Sequence, residues 1–220
     1  MFSEFFLFEL KFRLKQISTY VFGIVLFLFG FLIVNIIGGA FSGVSVVIMS
    51  GGERLFLNSA YVNSSFMDRI SIFLIFIVAA LIGSMLSRDL EHKAHPLLFT
   101  KPINRWSYIT GRLSANLLLI ITYNLFFLLG MFIAYFMPWL ESDYFMKPEI
   151  LHYLTPLIYM ILPNTILIST ILLGIFLWTR KSTYLYVASF FILTVYLIGS
   201  TYISNIANRV TASLIDPFGY

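Results

Sequence analysis

Residues Leu113–Phe136 read LSANLLLIITYNLFFLLGMFIAYF, with no Asp, Glu, Lys, Arg or His among them. A helix of this length extends about 36 Å, enough to cross the ~30 Å hydrocarbon core of a bilayer. Four further runs share this character: Tyr20–Ile37, Ile70–Leu86, Leu157–Trp178 and Tyr184–Ile203. They are continuous rather than alternating, which selects spanning helices over the strands of a membrane barrel. The first run is longer than the apolar core of a signal peptide, so it reads as a retained span.

The rest of the composition agrees. Of 220 residues 60% are hydrophobic and 11% charged, whereas a soluble domain is about a quarter charged. This excludes a disordered chain, a secreted mini-protein and an ordinary cytosolic enzyme. With no cysteine, neither a disulfide framework nor a thiolate site exists. The net charge of +4 is not concentrated in a basic run interleaved with aromatics, so nucleic acid is not an expected partner.

The basic residues instead divide by side. Segments 1–19, 87–112 and 179–183 hold ten Lys and Arg, against four in 38–69, 137–156 and 204–220. The positive-inside rule then places the N-terminus in the cytoplasm of a multi-pass membrane protein. The fold class expected is all-α integral membrane, one domain over 1–220, with five spans after an N-terminal helix. That helix falls within 1–19. Phe8-Glu9-Leu10-Lys11-Phe12-Arg13-Leu14-Lys15 alternates like a strand, but a lone strand at a membrane surface leaves its backbone unpaired. A helix lying in the interface is preferred, with Glu9 and Arg13 as a weak i,i+4 pair.

No phosphate loop and no zinc helix occurs, so the chain has no motif for hydrolysing ATP itself and no metal site is expected. His92 and His95 stand three apart and could meet on one helical face, with Asp89 or Glu91 offered as a further ligand, but they read as part of a solvated basic loop. Ser84 lies in the second span, yet no span holds a histidine to activate it. No span carries the buried charge that ion-coupled carriers use. Small residues four apart suit close helix packing at Ala79/Gly83, Gly130/Ala134 and Thr170/Gly174. Asn116, Asn124, Pro163 and Asn164 are the polar or helix-breaking positions within spans. They suit a packing kink, or else a hinge or polar pathway.

Segment 87–112, SRDLEHKAHPLLFTKPINRWSYITGR, is the most distinctive. Leu97, Leu98 and Phe99 form an apolar run inside a charged loop, and Pro102 stops any helix. Such a run marks either a docking surface or a dip into the headgroups.

The pattern Arg88-Asp89-x-Glu91, then Leu97-Leu98-x-Thr100-x-Pro102-Ile103-x-Arg105-x-x-Tyr108-x-x-Gly111-Arg112, resembles the permeases of type-2 ATP-binding-cassette (ABC) transporters. The opening Phe8–Leu14 before a first span fits too. A narrower resemblance, to the N-terminal membrane part of large bacterial permeases sometimes fused to a zinc aminopeptidase, rests on several tags. They are Gly38-Gly39-Ala40-Phe41, Gly43-Val44-Ser45, Asn58-Ser59, Tyr61-Val62, Met137-Pro138-Trp139-Leu140, Leu162-Pro163-Asn164, Asn208-Arg209 and Asp216-Pro217-Phe218-Gly219. No peptidase motif is present.

The resemblance implies a permease subunit that forms the membrane path and couples to a separate cytoplasmic ABC ATPase. That partner uses the ATP, and this chain binds no cofactor. The coupling helix would lie in Glu91–Phe99, with Leu98 and Phe99 as anchors. Arg88, Asp89, His92, Leu97, Pro102 and Arg105 would complete the ATPase-coupling loop. A second permease half or a second copy would complete the pathway. The resemblance places such permeases in the bacterial inner membrane with six spans and both ends in the cytoplasm, so this chain is expected to be a fragment whose sixth span lies beyond Tyr220, or an unusually short member. The alternative is a non-transporting membrane anchor or assembly factor.

Overall fold

The computed structural model describes residues 1–40, 49–50, 53–54, 56–91, 104–140 and 145–203. Their elements are α1 (Phe2–Leu14), α2 (Ile17–Ile37), β1 (Met49–Ser50), β2 (Glu53–Arg54), α3 (Ala60–Glu91), α4 (Arg105–Ala134), α5 (Ile150–Pro156), a π-helical turn (Leu157–Ile161), α6 (Leu162–Thr179) and α7 (Ser182–Ile203). The two short strands pair antiparallel, Met49 with Arg54 and Ser50 with Glu53. The fold is all-α, and among the described residues five helices are long and apolar enough to cross a membrane.

The helices outrun the apolar runs. α3 begins ten residues before Ile70, because Ser59 caps it: its Oγ accepts the Val62 N–H at 3.3 Å. The polar Asn63 and Asp68 that end the apolar reading are buried inside this helix. α4 begins eight residues before Leu113 under a second cap, where Asn104 Oδ1 accepts the Trp106 N–H at 3.0 Å. Pro102 lies before this start, as a helix stop should. The fourth span is a single helical rod from Ile150 to Thr179, with a π-helical turn set between Pro156 and Pro163. The Leu162 N–H bonds back to Leu157 O, five residues away. Pro163 has no N–H to give, so wide-register pairing here falls where ordinary pairing fails.

The chain divides into two compact units. The first comprises Met1–Gln16, Ile70–Ile120 and Pro163–Tyr220; the second comprises Ile17–Arg69 and Ile121–Leu162. In the second, α2 buries Thr19, Gly23, Gly30, Val34 and Asn35, a stripe of small and polar residues, while Phe22, Ile24, Val25 and Leu28 stay exposed. Small residues facing protein and large apolar ones facing outward is the packing logic of a lipid environment. Gly30 and Gly130 meet where two backbones nearly touch. A Cβ at Gly30 would strike Phe127 O, and one at Gly130 would strike Phe27 O. Polar contacts close one end of this unit. Asn58 Nδ2 donates to Met146 O at 2.6 Å, while its Oδ1 accepts the Met146 N–H at 2.8 Å. Asn63 Nδ2 donates to His152 O at 3.1 Å, and Trp139 Nε1 to Asn35 Oδ1 at 2.6 Å.

In the first unit Gly83 faces Leu185 and Ser182. Gly111 admits the backbone of α1, since a Cβ there would meet Phe2 O and the Phe5 side chain. Of the small-residue pairs, Ala79/Gly83 and Gly130/Ala134 thus serve packing within the chain, whereas Thr170 is exposed and nothing lies over Gly174.

Segments 1–19 and 87–112 meet in the first unit through Glu9, and 38–69 meets 137–156 in the second through Asn58 and Met146.

Candidate functional site

α1 is helical, and its polarity is inverted for a soluble helix. Its buried residues are Glu9 and Arg13, while Phe2, Leu7 and Phe8 are exposed. Glu4 in its first turn and Lys11 and Arg13 in its last complement the helix dipole. The buried side of α1 carries a carboxylate that serves three guanidiniums.

Glu9 is wholly buried. Arg13 Nε donates to its Oε1 at 3.0 Å. Arg88 Nη2, from the last turns of α3, donates to Oε1 and Oε2 at 2.8 and 2.9 Å. Arg112 Nε, from α4, donates to Oε2 at 2.9 Å. The remaining guanidinium hydrogens go largely to helix backbone. Arg13 Nη2 reaches Leu81 O at 2.7 Å and Ser84 Oγ at 2.8 Å. Arg88 Nε donates to Ser84 O at 2.8 Å, and Arg112 donates to Met85 O and Tyr108 Oη. Arg88 also stacks over the Phe12 ring at 3.7 Å. Burial holds the Arg13 guanidinium below its ordinary pKa; Glu9 opposes this, and the like charges of Arg88 and Arg112 reinforce it.

The weak pair expected of Glu9 and Arg13 is therefore part of a buried network. Its strength comes from residues 79 and 103 positions away, which no local spacing reveals. Arg88, one of the residues assigned to the coupling loop, bonds to Glu9 within the chain. Arg112 belonged to the quoted motif without being counted as a site residue. Ser84 holds Arg13, and its own hydroxyl donates to Leu81 O at 3.1 Å. The one signal available in the sequence was an acid placed amid the apolar and basic residues of 5–15.

Together these bonds fasten both ends of the 87–112 segment to α1. Asp89 and Glu91 close α3 and Arg105 opens α4 as backbone positions. His92, Leu97, Leu98, Phe99 and Pro102 lie outside the described residues, as does His95. Asn116, one turn beyond Arg112, is buried and donates to Arg112 O at 2.9 Å and Met85 Sδ at 3.2 Å, extending the network. Asn124 is buried in α4, and Asn164 is half-buried beside Pro163 in α6. These polar span residues stand at separate places on their helices. Among the described residues no three His, Cys, Asp or Glu gather as a metal would require.

An all-α chain whose described residues include five spanning-length helices is a multi-pass membrane protein. No family model, curated protein or solved structure matches it.

Proposed function

We propose that this chain is the permease subunit of a type-2 ABC transporter, with its N-terminus and the 87–112 segment in the cytoplasm. There the segment docks on a separate ATPase. The observation that supports this most is the fastening of both ends of 87–112 to α1 through Glu9. A loop that transmits force needs a stiff base, and a buried carboxylate shared by three guanidiniums supplies one. Arg88 and Arg112 then position the loop, leaving Glu91, Leu98, Phe99 and Arg105 as its partner contacts. One further feature supports the reading: the motif running from Arg88 to Arg112. A second permease half or second copy would complete the pathway.

The test is co-purification from membranes of the native host. The wild-type chain is expected to bring down an ATPase carrying a phosphate loop. Leu98→Asp, Glu91→Lys and Arg105→Glu are each expected to lose it while still inserting. An ATPase retained by all three variants would remove the docking assignment.

A further inference from the structure

We propose that the exposed edge of the Glu9 network, with the adjoining face of α1, is a binding site for the phosphate of an anionic membrane lipid. Glu9 is shared among three guanidiniums, so its single charge offsets only part of theirs. Arg13 and Arg112 are sealed inside, with side chains 4% and 3% exposed, but Arg88 reaches the surface at 20%. The ring under Arg88 is Phe12, and on α1 Phe8, Lys11, Phe12 and Lys15 follow at i, i+3, i+4 and i+7. Those intervals put the four on one side of the helix. Phe8 is 60% exposed, and Lys11 and Lys15 are exposed as well. Glu4, a turn earlier on this side, is engaged by the amino group of Met1 at 3.5 Å.

Basic heads beside exposed aromatic rings fit a ligand that is anionic at one end and apolar at the other. A free phosphate uses the cations and leaves Phe8 in water; a lipid uses both. The apolar exposure of α1 is what commits the site to lipid. The site does not depend on an ATPase docking on the loop.

The experiment is native mass spectrometry of the full chain released from nanodiscs of equimolar phosphatidylglycerol and phosphatidylcholine, with and without millimolar inorganic phosphate. Wild-type protein is expected to retain phosphatidylglycerol over phosphatidylcholine by about fivefold or more, about what one favourable basic contact contributes. Inorganic phosphate should not displace it. Arg88→Gln should abolish the preference. Lys11→Gln with Lys15→Gln, both on the exposed face and outside the buried network, should reduce it several-fold without loss of folding. Equal retention of the two lipids by the wild type would overturn the proposal, whatever the variants do. So would displacement by inorganic phosphate, which would reassign the site to a free anion, or an unchanged preference in the lysine double variant.

Discussion

Glu9 is one carboxylate shared by three guanidiniums, so removing its charge strands several of them at once. Breaking a buried ion pair from one side costs about 3–5 kcal/mol, because the other partner stays buried without compensation. Glu9→Gln is expected to lower stability by that order in thermal unfolding of the detergent-solubilised chain. Glu4→Gln, on an exposed carboxylate, should leave unfolding unchanged. The network also makes a non-additive forecast: Arg112→Gln should cost less in the Glu9→Gln background than alone. Equal costs in both backgrounds would show that the two residues act separately. At the opposite extreme of chemistry, Asn58 meets both backbone groups of Met146 as a strand neighbour would. Asn58→Ala should cost about 1–3 kcal/mol by leaving these groups unpaired, measured in the same unfolding assay.

Between helices the decisive feature is backbone proximity. Gly30 and Gly130 allow α2 and α4 to approach until a Cβ on either would strike a carbonyl of the other. Leucine at either position should impair folding, read as lost monodisperse protein after solubilisation. Leucine at Gly174, which has open space over it, should be tolerated. The sequence identified Gly130 as a packing position but did not single out Gly30, whose partner is set by tertiary structure rather than by a second small residue four away. The element ends show a similar division. Apolar run length located every spanning helix, because lipid demands it. It did not locate the starts of α3 and α4, which depend on Ser59 and Asn104 as caps and on the burial of Asn63 and Asp68 within α3. The π-helical turn before Pro163 was likewise out of reach, since the proline signals a lost hydrogen bond but not how the backbone re-pairs.

For the whole molecule, the uneven division of basic residues among the connecting segments was legible at once, while the contacts that join 1–19 to 87–112 and 38–69 to 137–156 were not. The candidate site was legible only in outline. The motif carries Arg88 and Arg112, but their meeting at Glu9 joins residues far apart in the chain, and periodicity reads only neighbours. If the basic side is cytoplasmic, a reporter fused after Lys181 should read inside and one within 137–156 outside; the reverse would invert the coupling scheme. The central claim is that the apolar run Leu97-Leu98-Phe99 touches an ATPase. Its most direct measurement places a photo-crosslinking amino acid at Leu98 in the full chain in native membranes, with Trp139 as the control position. The account predicts a protein adduct from position 98, absent from 139, whose mass spectrum contains a phosphate-loop ATPase. Adducts to lipid alone at position 98 would contradict it and leave the run as a membrane-surface contact.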